Sequence, residues 1–350
     1  MSSVLVSPQL TPSMNRGKGV WAAAATRFKT DHVGMTSLVI VVLFLLLVLA
    51  SGVGLVAKDW QVERGVPDAP PTLVGPAART ESVAVVAPSG PNVDISAVDP
   101  LAPRYAEWAE AAKKYRTQAT VKADTLPFGG DRLGRDVLAK AIKGAQVSIL
   151  VGVSAAVLAT LIGTLLGAVA GFFGGKVGDL LEWIYNVFTA IPGILLIFAF
   201  AAVFGRGIGS VVLILGLAGW TGIYRLVRAE FIKHANRDYV RSAEAIGASN
   251  ASRMFRHILP NVCHVVLVQL SIHVVGFIKS EVILSYLGLG VGVDQVSWGT
   301  MLSEAQSELI LGHWWQLAAA TIFMAVFVTA FSLMTDALRD ALDPKLRGLE

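Results

Sequence analysis

Long uncharged apolar runs alternate with short polar intervals along this chain, and the runs exceed what a soluble core helix needs. A helix requires about 20 apolar residues to cross roughly 30 Å of hydrocarbon. Six stretches qualify: about Val33 to Ala57, Ser148 to Gly174, Trp183 to Phe204, Gly207 to Leu226, Asn261 to Leu289 and Leu309 to Thr335. Pro192-Gly193 interrupts the third, the fourth is the shortest, and the fifth carries charges. The expected fold is therefore an all-α integral membrane protein with about six spanning helices.

Composition agrees with that pattern. Of 350 residues, 54% are hydrophobic and 15% charged, too few charges to wet the surface of a soluble domain. The net charge of +4 includes no Lys/Arg block mixed with aromatics, which sets nucleic acid aside as a partner. Cys263 is the single cysteine, which excludes an intrachain disulfide and a cysteine metal cluster. Some 32 residues precede the first run, and no small-x-small cleavage site is obvious, so it reads as an uncleaved anchor. Lys/Arg distribution sets the orientation. Arg16, Lys18, Arg27 and Lys29 precede the first span, and Arg225, Arg228, Lys233, Arg237, Arg241, Arg253 and Arg256 lie between the fourth and fifth. The link between the fifth and sixth has Asp294, Glu304 and Glu308 but no Lys or Arg. Both termini are expected inside, with the long segment Lys58 to Lys143 outside.

Inside the spans, Gly163, Gly167 and Gly171 share one helical face and allow another backbone to approach. Pro192 removes a backbone hydrogen bond and kinks the third span, either as fixed shape or as a moving hinge. Lys279 and Glu281 cost roughly 2.5–3.5 kcal/mol each at membrane depth, so they face protein or water. Two residues apart, they do not face each other. They either line a pathway, or Lys279 snorkels to the interface while Glu281 bonds a neighbouring helix. His264 and His273 carry weaker signals.

Residues Lys58 to Thr125 are rich in Pro, Ala and Val, including Pro67, Pro70, Pro71, Pro76, Pro88, Pro91, Pro100 and Pro103. This segment is either a small accessory element or a loosely ordered loop, with one helix expected near Arg104 to Thr117. Asp136 then caps a helix whose apolar stripe of Val137, Leu138, Ile142 and Val147 is flanked by Lys140 and Lys143, as for a helix lying at the interface.

The link His234 to Asn261 reads HANRDYVRSAEAIGASNASRMFRHILPN. A helix is expected over Asp238 to Ile246, stopped by Gly247, with Ser249 or Asn250 capping a second short helix and Pro260 marking the turn into the membrane. Such a basic helix pair is either a docking knob for a soluble partner or a surface helix against lipid headgroups. It resembles the EAA loop of permease subunits of binding-protein-dependent ABC importers. Ala243, Gly247, Leu259 and Pro260 match that pattern in register, whereas Arg241, Ser242 and His257 depart from it. The wording is closer still to the dipeptide/oligopeptide branch. FGGDRLGRDVLAKAIKGAQVSILVG, EVILSYLGLG (Glu281 to Gly290), SWGTML (Ser297 to Leu302) and DALRDALDPKLRG (Asp336 to Gly348) resemble that branch's other signatures. Lys279 is not part of the pattern.

This resemblance implies a type I importer permease in a bacterial cytoplasmic (inner) membrane. It implies pairing with a second, homologous permease, two ABC ATPases beneath, an extracytoplasmic solute-binding protein and peptide cargo. Asp238, Tyr239, Ala243, Gly247, Ala248, Leu259 and Pro260 would form the ATPase-coupling loop; ATP and Mg would belong to the partner subunits. The implied organisation is an inner segment 1–32, a first span 33–57, an outer segment 58–147, a five-helix core 148–335 with the loop 234–260, and an inner tail 336–350. GGKVG at 174–178 is no Walker A, having Val177 where Ser or Thr must hold magnesium. No His-Glu-x-x-His, Gly-x-Ser-x-Gly or paired intramembrane Asp suggests an enzyme. The alternatives are the same machinery for nickel, an opine, glutathione or another small solute, and a secondary transporter, for which no internal repeat is visible.

Overall fold

The computed structural model describes residues 20–76, 99–114 and 122–342. Pro88, Pro91, residues 115–117 of the expected outer helix and residues 343–348 of the closing signature lie outside them. Within them the chain is helical: α1 (Val20–Thr30), α2 (His32–Gly52), α3 (Tyr105–Lys114), α4 (Val137–Phe173), α5 (Gly175–Ala190), α6 (Gly193–Phe204), α7 (Ile208–Gly219) and α8 (Thr221–Ala235) come first. Then follow α9 (Asp238–Ala245), α10 (Asn250–Ser252), α11 (Leu259–Tyr286), α12 (Trp298–Ile310) and α13 (Trp315–Leu342). Four helices are long and apolar enough to cross a membrane, or up to six crossings if each of two bent pairs is one span.

The bent pairs are the interrupted third and the short fourth stretches. α5 and α6 meet at 91° across Ile191-Pro192, and α7 and α8 at 43° at Trp220. Pro192, with φ −53° and ψ 125°, stands outside both helices and leads into α6. The break is thus much sharper than a kink within one helix, because the residue before a proline is driven out of the α region; Ile191 has ψ 130°. GGKVG forms the reversal between α4 and α5, with Gly174 and Gly175 both at positive φ.

Three boundaries differ from expectation. α4 begins at Val137 and runs unbroken for 37 residues. The stripe expected to lie along the interface is therefore the opening of a spanning helix, and Lys140 is 1% exposed instead of flanking a surface. Asp136 caps this helix as expected, accepting from the amides of Leu138 (2.8 Å) and Ala139 (3.3 Å). The last span starts at Trp315, not Leu309, because Leu309 and Ile310 end α12 and Gly312 turns the chain at φ 90°. Pro260 makes no turn: helix continues from Asn250 to Tyr286. The turn before it, Arg253–Ile258, is π-helical, and the Leu259 amide bonds to Met254 five residues back. That widening accommodates a ring that would otherwise crowd the carbonyl four residues earlier.

α4 is the central element, packed against α2, α5, α7, α8, α11, α12 and α13. Its glycines explain the contact with α8. A Cβ on Gly167 would stand 2.7 Å from the Tyr224 carbonyl oxygen, and one on Gly171 would stand 2.5 Å from that of Arg228. Gly163 meets Trp220 and Ile223 in the same way. The two helices touch backbone to backbone, as small-residue spacing allows. α2 lies against α13, where Phe44 packs on Phe323 and Phe327.

At the end of the bundle where α4 begins, residues 58–76 and 122–136 are laced together by isolated bridges, Glu63 with Arg135, Gly65 with Ala123 and Pro71 with Leu126. The flanks of the segment expected outside are therefore ordered against the helices.

Candidate functional site

The link between α8 and α11 is a folded projection. α9 presents Val240 and Ala243, 1% and 4% exposed, to the body. Val240 joins a buried cluster of Ala168, Ile223, Val227, Phe231, Met254, Ile258 and Val262, against which Leu259 also packs. Asp238 opens α9 and is exposed. The Tyr239 hydroxyl lies 2.8 Å from Nδ1 of His234 in α8, fixing the corner between the two helices. The helix ends as its sequence predicts. The amides of Gly247 and Ala248 bond to the carbonyls of Glu244 (2.9 Å) and Ala243 (3.0 Å), with Gly247 left-handed at φ 87°. Ser249 Oγ then accepts the Ser252 amide at 3.3 Å and starts the next helix.

Two features of this projection escaped sequence reasoning. Arg253 is a brace: it holds Glu244 of α9 at 2.7 Å, Asn250 at 2.5 Å, and lies over the Phe172 ring at 5.2 Å. Ile246, beside the glycine, is 85% exposed, and a Cβ built on Gly247 would meet nothing within 4 Å. An anchored helix thus ends in a bare apolar tip. An isoleucine directly before a helix-stopping glycine was the available signal, since nothing in so short a projection could cover it.

The other signature segments converge near the start of α4. Asp131, 0% exposed, accepts from the Leu133 and Arg135 amides through Oδ1, both at 2.9 Å, and from Arg135 Nε (2.6 Å) and Lys140 Nζ (2.7 Å) through Oδ2. Lys140 Nζ also donates to Glu304 Oε2 (2.5 Å) on α12 and Gln316 Oε1 (3.0 Å) on α13. Burial opposes ionisation of Asp131, but Lys140, the Arg135 amide and the Arg135 guanidinium outweigh it and hold the carboxyl below its ordinary range. On α12, burial dominates at Glu308 and raises it, despite the Arg132 amide and the Lys140 charge. Trp315 Nε1 donates to the Gly130 carbonyl at 2.6 Å, and its ring lies where a Cβ on Gly129 would be. The GGDRLGRD run is therefore a polar clasp joining three helices.

Glu281 belongs to a second, sealed cluster. It is 0% exposed and accepts from Ser285 Oγ at 2.6 Å, while the hydroxyls of Ser148 on α4 and Ser297 at the start of α12 also face it. Ser148 Oγ in turn accepts the Trp298 amide at 3.2 Å. EVILSYLGLG and SWGTML thus meet: a Cβ on Gly299 would clash with the Val282 carbonyl. Glu281 packs helices within the subunit, and Lys279, on the other side of α11, is exposed. Pro192 sits apart from both, at the α5–α6 break.

The family model for inner membrane components of binding-protein-dependent transport systems matches residues 163–348. The chain belongs to this family. The permease is 36% identical over 220 residues to the dipeptide transport system permease protein DppC of Bacillus subtilis, covering 63% of this chain and 69% of the relative. It is 33% identical over 238 residues to the oligopeptide transport system permease protein OppC of the same organism, covering 67% and 78%. The glutathione transport system permease protein GsiD of Escherichia coli is 39% identical over 222 residues, 63% of this chain and 73% of the relative. Members of the family are membrane permease subunits rather than enzymes, and the permease is a multi-pass inner-membrane protein of the ABC-importer type with an all-α fold.

Proposed function

We propose that the permease forms half of a translocation pathway for peptide-type solutes and receives the ATPase stroke at the α9–Gly247 tip. A second homologous permease supplies the other half, two cytoplasmic ATPases sit beneath, and a solute-binding protein delivers cargo from outside. The observation that carries the coupling role is the tip itself. Val240 and Ala243 anchor α9, Arg253 braces it, and Ile246 stands 85% exposed beside an unobstructed Gly247. Asp238, Tyr239, Ala243, Gly247, Ala248, Leu259 and Pro260 are the proposed coupling residues. An apolar tip on a rigid base fits a groove in a soluble partner better than it fits water, because its burial is favourable only on docking.

In this reading residues 1–32 and 336–350 lie inside with the loop 234–260, and residues 58–136 lie outside. Concentration of Lys and Arg in the α8–α11 link supports that orientation. The peptide class is supported by relatives named for dipeptide, oligopeptide and glutathione transport. Glutathione is itself a tripeptide, and the 39% identity to its permease keeps it beside linear peptides as cargo. A secondary transporter is the competing class. Uptake is measured in cells whose partner ATPases bind ATP but cannot hydrolyse it, with the ion gradients intact. Uptake stops if the proposal holds; continued accumulation overturns it.

A further inference from the structure

Among the described residues, Lys279 is a cation without an anion. Ile272, Gly276, Lys279, Ile283 and Leu287 are all exposed, and their spacing of three and four puts them on one face of α11. The opposite face, with Ile278, Glu281, Val282 and Ser285, is buried against the rest of the chain. Glu281 therefore cannot neutralise Lys279, and among the described residues nothing forms a hydrogen bond or ion pair with its ammonium. An unpaired lysine facing hydrocarbon costs roughly 2.5–3.5 kcal/mol, so this face meets water or an anion in the working assembly.

Snorkelling to the outer headgroups is the competing explanation, and geometry weighs against it. Lys279 stands seven residues before Tyr286, the last residue of α11, about 10 Å from that end at 1.5 Å per residue. Side chains on a helix lean toward its N-terminus. In the proposed orientation the N-terminus of α11 is the inner end, so the four-carbon stem of Lys279 leans toward mid-membrane. One turn further along that direction lies Gly276, where a Cβ would meet nothing within 4 Å. The helix face beside Lys279 on that side is thus bare of a side chain and open to the exterior of the subunit.

We infer that Lys279 faces the aqueous pathway between the two permeases and is a specificity-determining contact for cargo carrying a free carboxylate. This rests on the function proposed above, and it deepens that reading by assigning the cargo a charge. Every linear peptide with a free C-terminus bears such a group. A single ammonium forms a contact strong enough to favour entry and weak enough to permit release.

The test uses the intact importer in cells and proteoliposomes, with radiolabelled alanyl-alanine and saturating binding protein. Lys279→Met lowers the maximal uptake rate about tenfold or more, whereas Lys279→Arg keeps most of it, as loss and retention of a charge-assisted contact require. In a Cys263→Ser background, Lys279→Cys reacts with the membrane-impermeant sulfonatoethyl and trimethylammonioethyl thiosulfonates. The aminoethyl reagent, which restores an ammonium, recovers uptake, and the sulfonatoethyl reagent does not. Normal uptake by Lys279→Met overturns the inference. So does an inaccessible cysteine combined with failure of Lys279→Met to assemble, which would assign the lysine to an ion pair with the second permease. If wild-type uptake persists without ATP hydrolysis, it is the importer reading that fails; if uptake is ATP-dependent and indifferent to Lys279, only this inference fails.

Discussion

Gly247→Asp separates the fit of the tip from the folding of the subunit. At φ 87° an L-residue is strained by about 1–2 kcal/mol, and Asp and Asn bear that conformation better than most. No atom of the chain lies within 4 Å of the new Cβ, so no clash adds to the strain. The variant subunit therefore inserts and melts close to wild type. The effect falls on docking. Ile246, 85% exposed, gains most of the roughly 1.5–3 kcal/mol available from burying such a side chain when a groove covers it. A carboxylate beside it must be desolvated in the same groove. Loss of the isoleucine contribution alone weakens ATPase association about 10- to 100-fold, at about 1.4 kcal/mol per factor of ten. The assay pairs transport with co-purification of the ATPases, and Gly247→Asn is the control because it carries the same strain without charge. The Asp variant loses uptake and ATPase while keeping its melting temperature; the Asn variant loses less. Wild-type transport and normal ATPase recovery with Gly247→Asp would refute a docked tip, and a misfolded subunit would refute the open geometry at φ 87°.

The outer clasp makes further predictions. Lys140→Met leaves Arg135 as the one cation between Asp131 and Glu304 among the described residues, and removing the buried partner of Asp131 costs up to about 3–5 kcal/mol. The melting temperature of the purified subunit falls, and an unchanged value would show that the clasp is not a unit. Acidification acts in two directions. Glu308 is raised by burial, so protonating it as pH falls through its folded value relieves a penalty and stabilises the outer end. Asp131 is lowered, so its contribution is complete above its unfolded value of about 3.9 and disappears as pH falls through its folded value. Melting temperature accordingly rises slightly on mild acidification and then drops, and Glu308→Gln removes the rise but keeps the drop. At the α4–α8 seam, Gly167→Ala puts a methyl 2.7 Å from the Tyr224 carbonyl oxygen and costs about 1–3 kcal/mol, read as a lower melting temperature. Gly193→Ala, at a position with no neighbour within 4 Å, is the neutral comparison.

What could be read from sequence followed from local chemistry. Apolar run length located the crossings, Asp136 and Ser249 announced their caps, and Gly247 announced its left-handed stop, because each signal acts within one helical turn. Lys140 misled because its stripe is amphipathic by periodicity. Whether its ammonium meets water or Glu304 and Gln316 depends on chain more than 160 residues away. Glu281 and Lys279 show the same limit at closer range. Two charges in one apolar helix look alike in sequence, and only the packing of α4 and α12 around one side of α11 separates a sealed carboxylate from an open ammonium. Pro260 was legible as a constraint but not in its outcome, since a π-helical turn preserves the helix as well as a break would relieve it.

The glycine seam between α4 and α8 has a mechanical consequence. α8 leads directly to the tip, and α4 runs the full depth of the subunit, so close backbone contact makes the two a single stiff beam. With 37 residues α4 is about 55 Å long, and a tilt of about 5° moves its far end by about 5 Å. The polar clasp sits on that far end, holding α12 and the start of α13 to it. On the proposed coupling, a small displacement at the tip therefore reaches every element that Lys140 ties together.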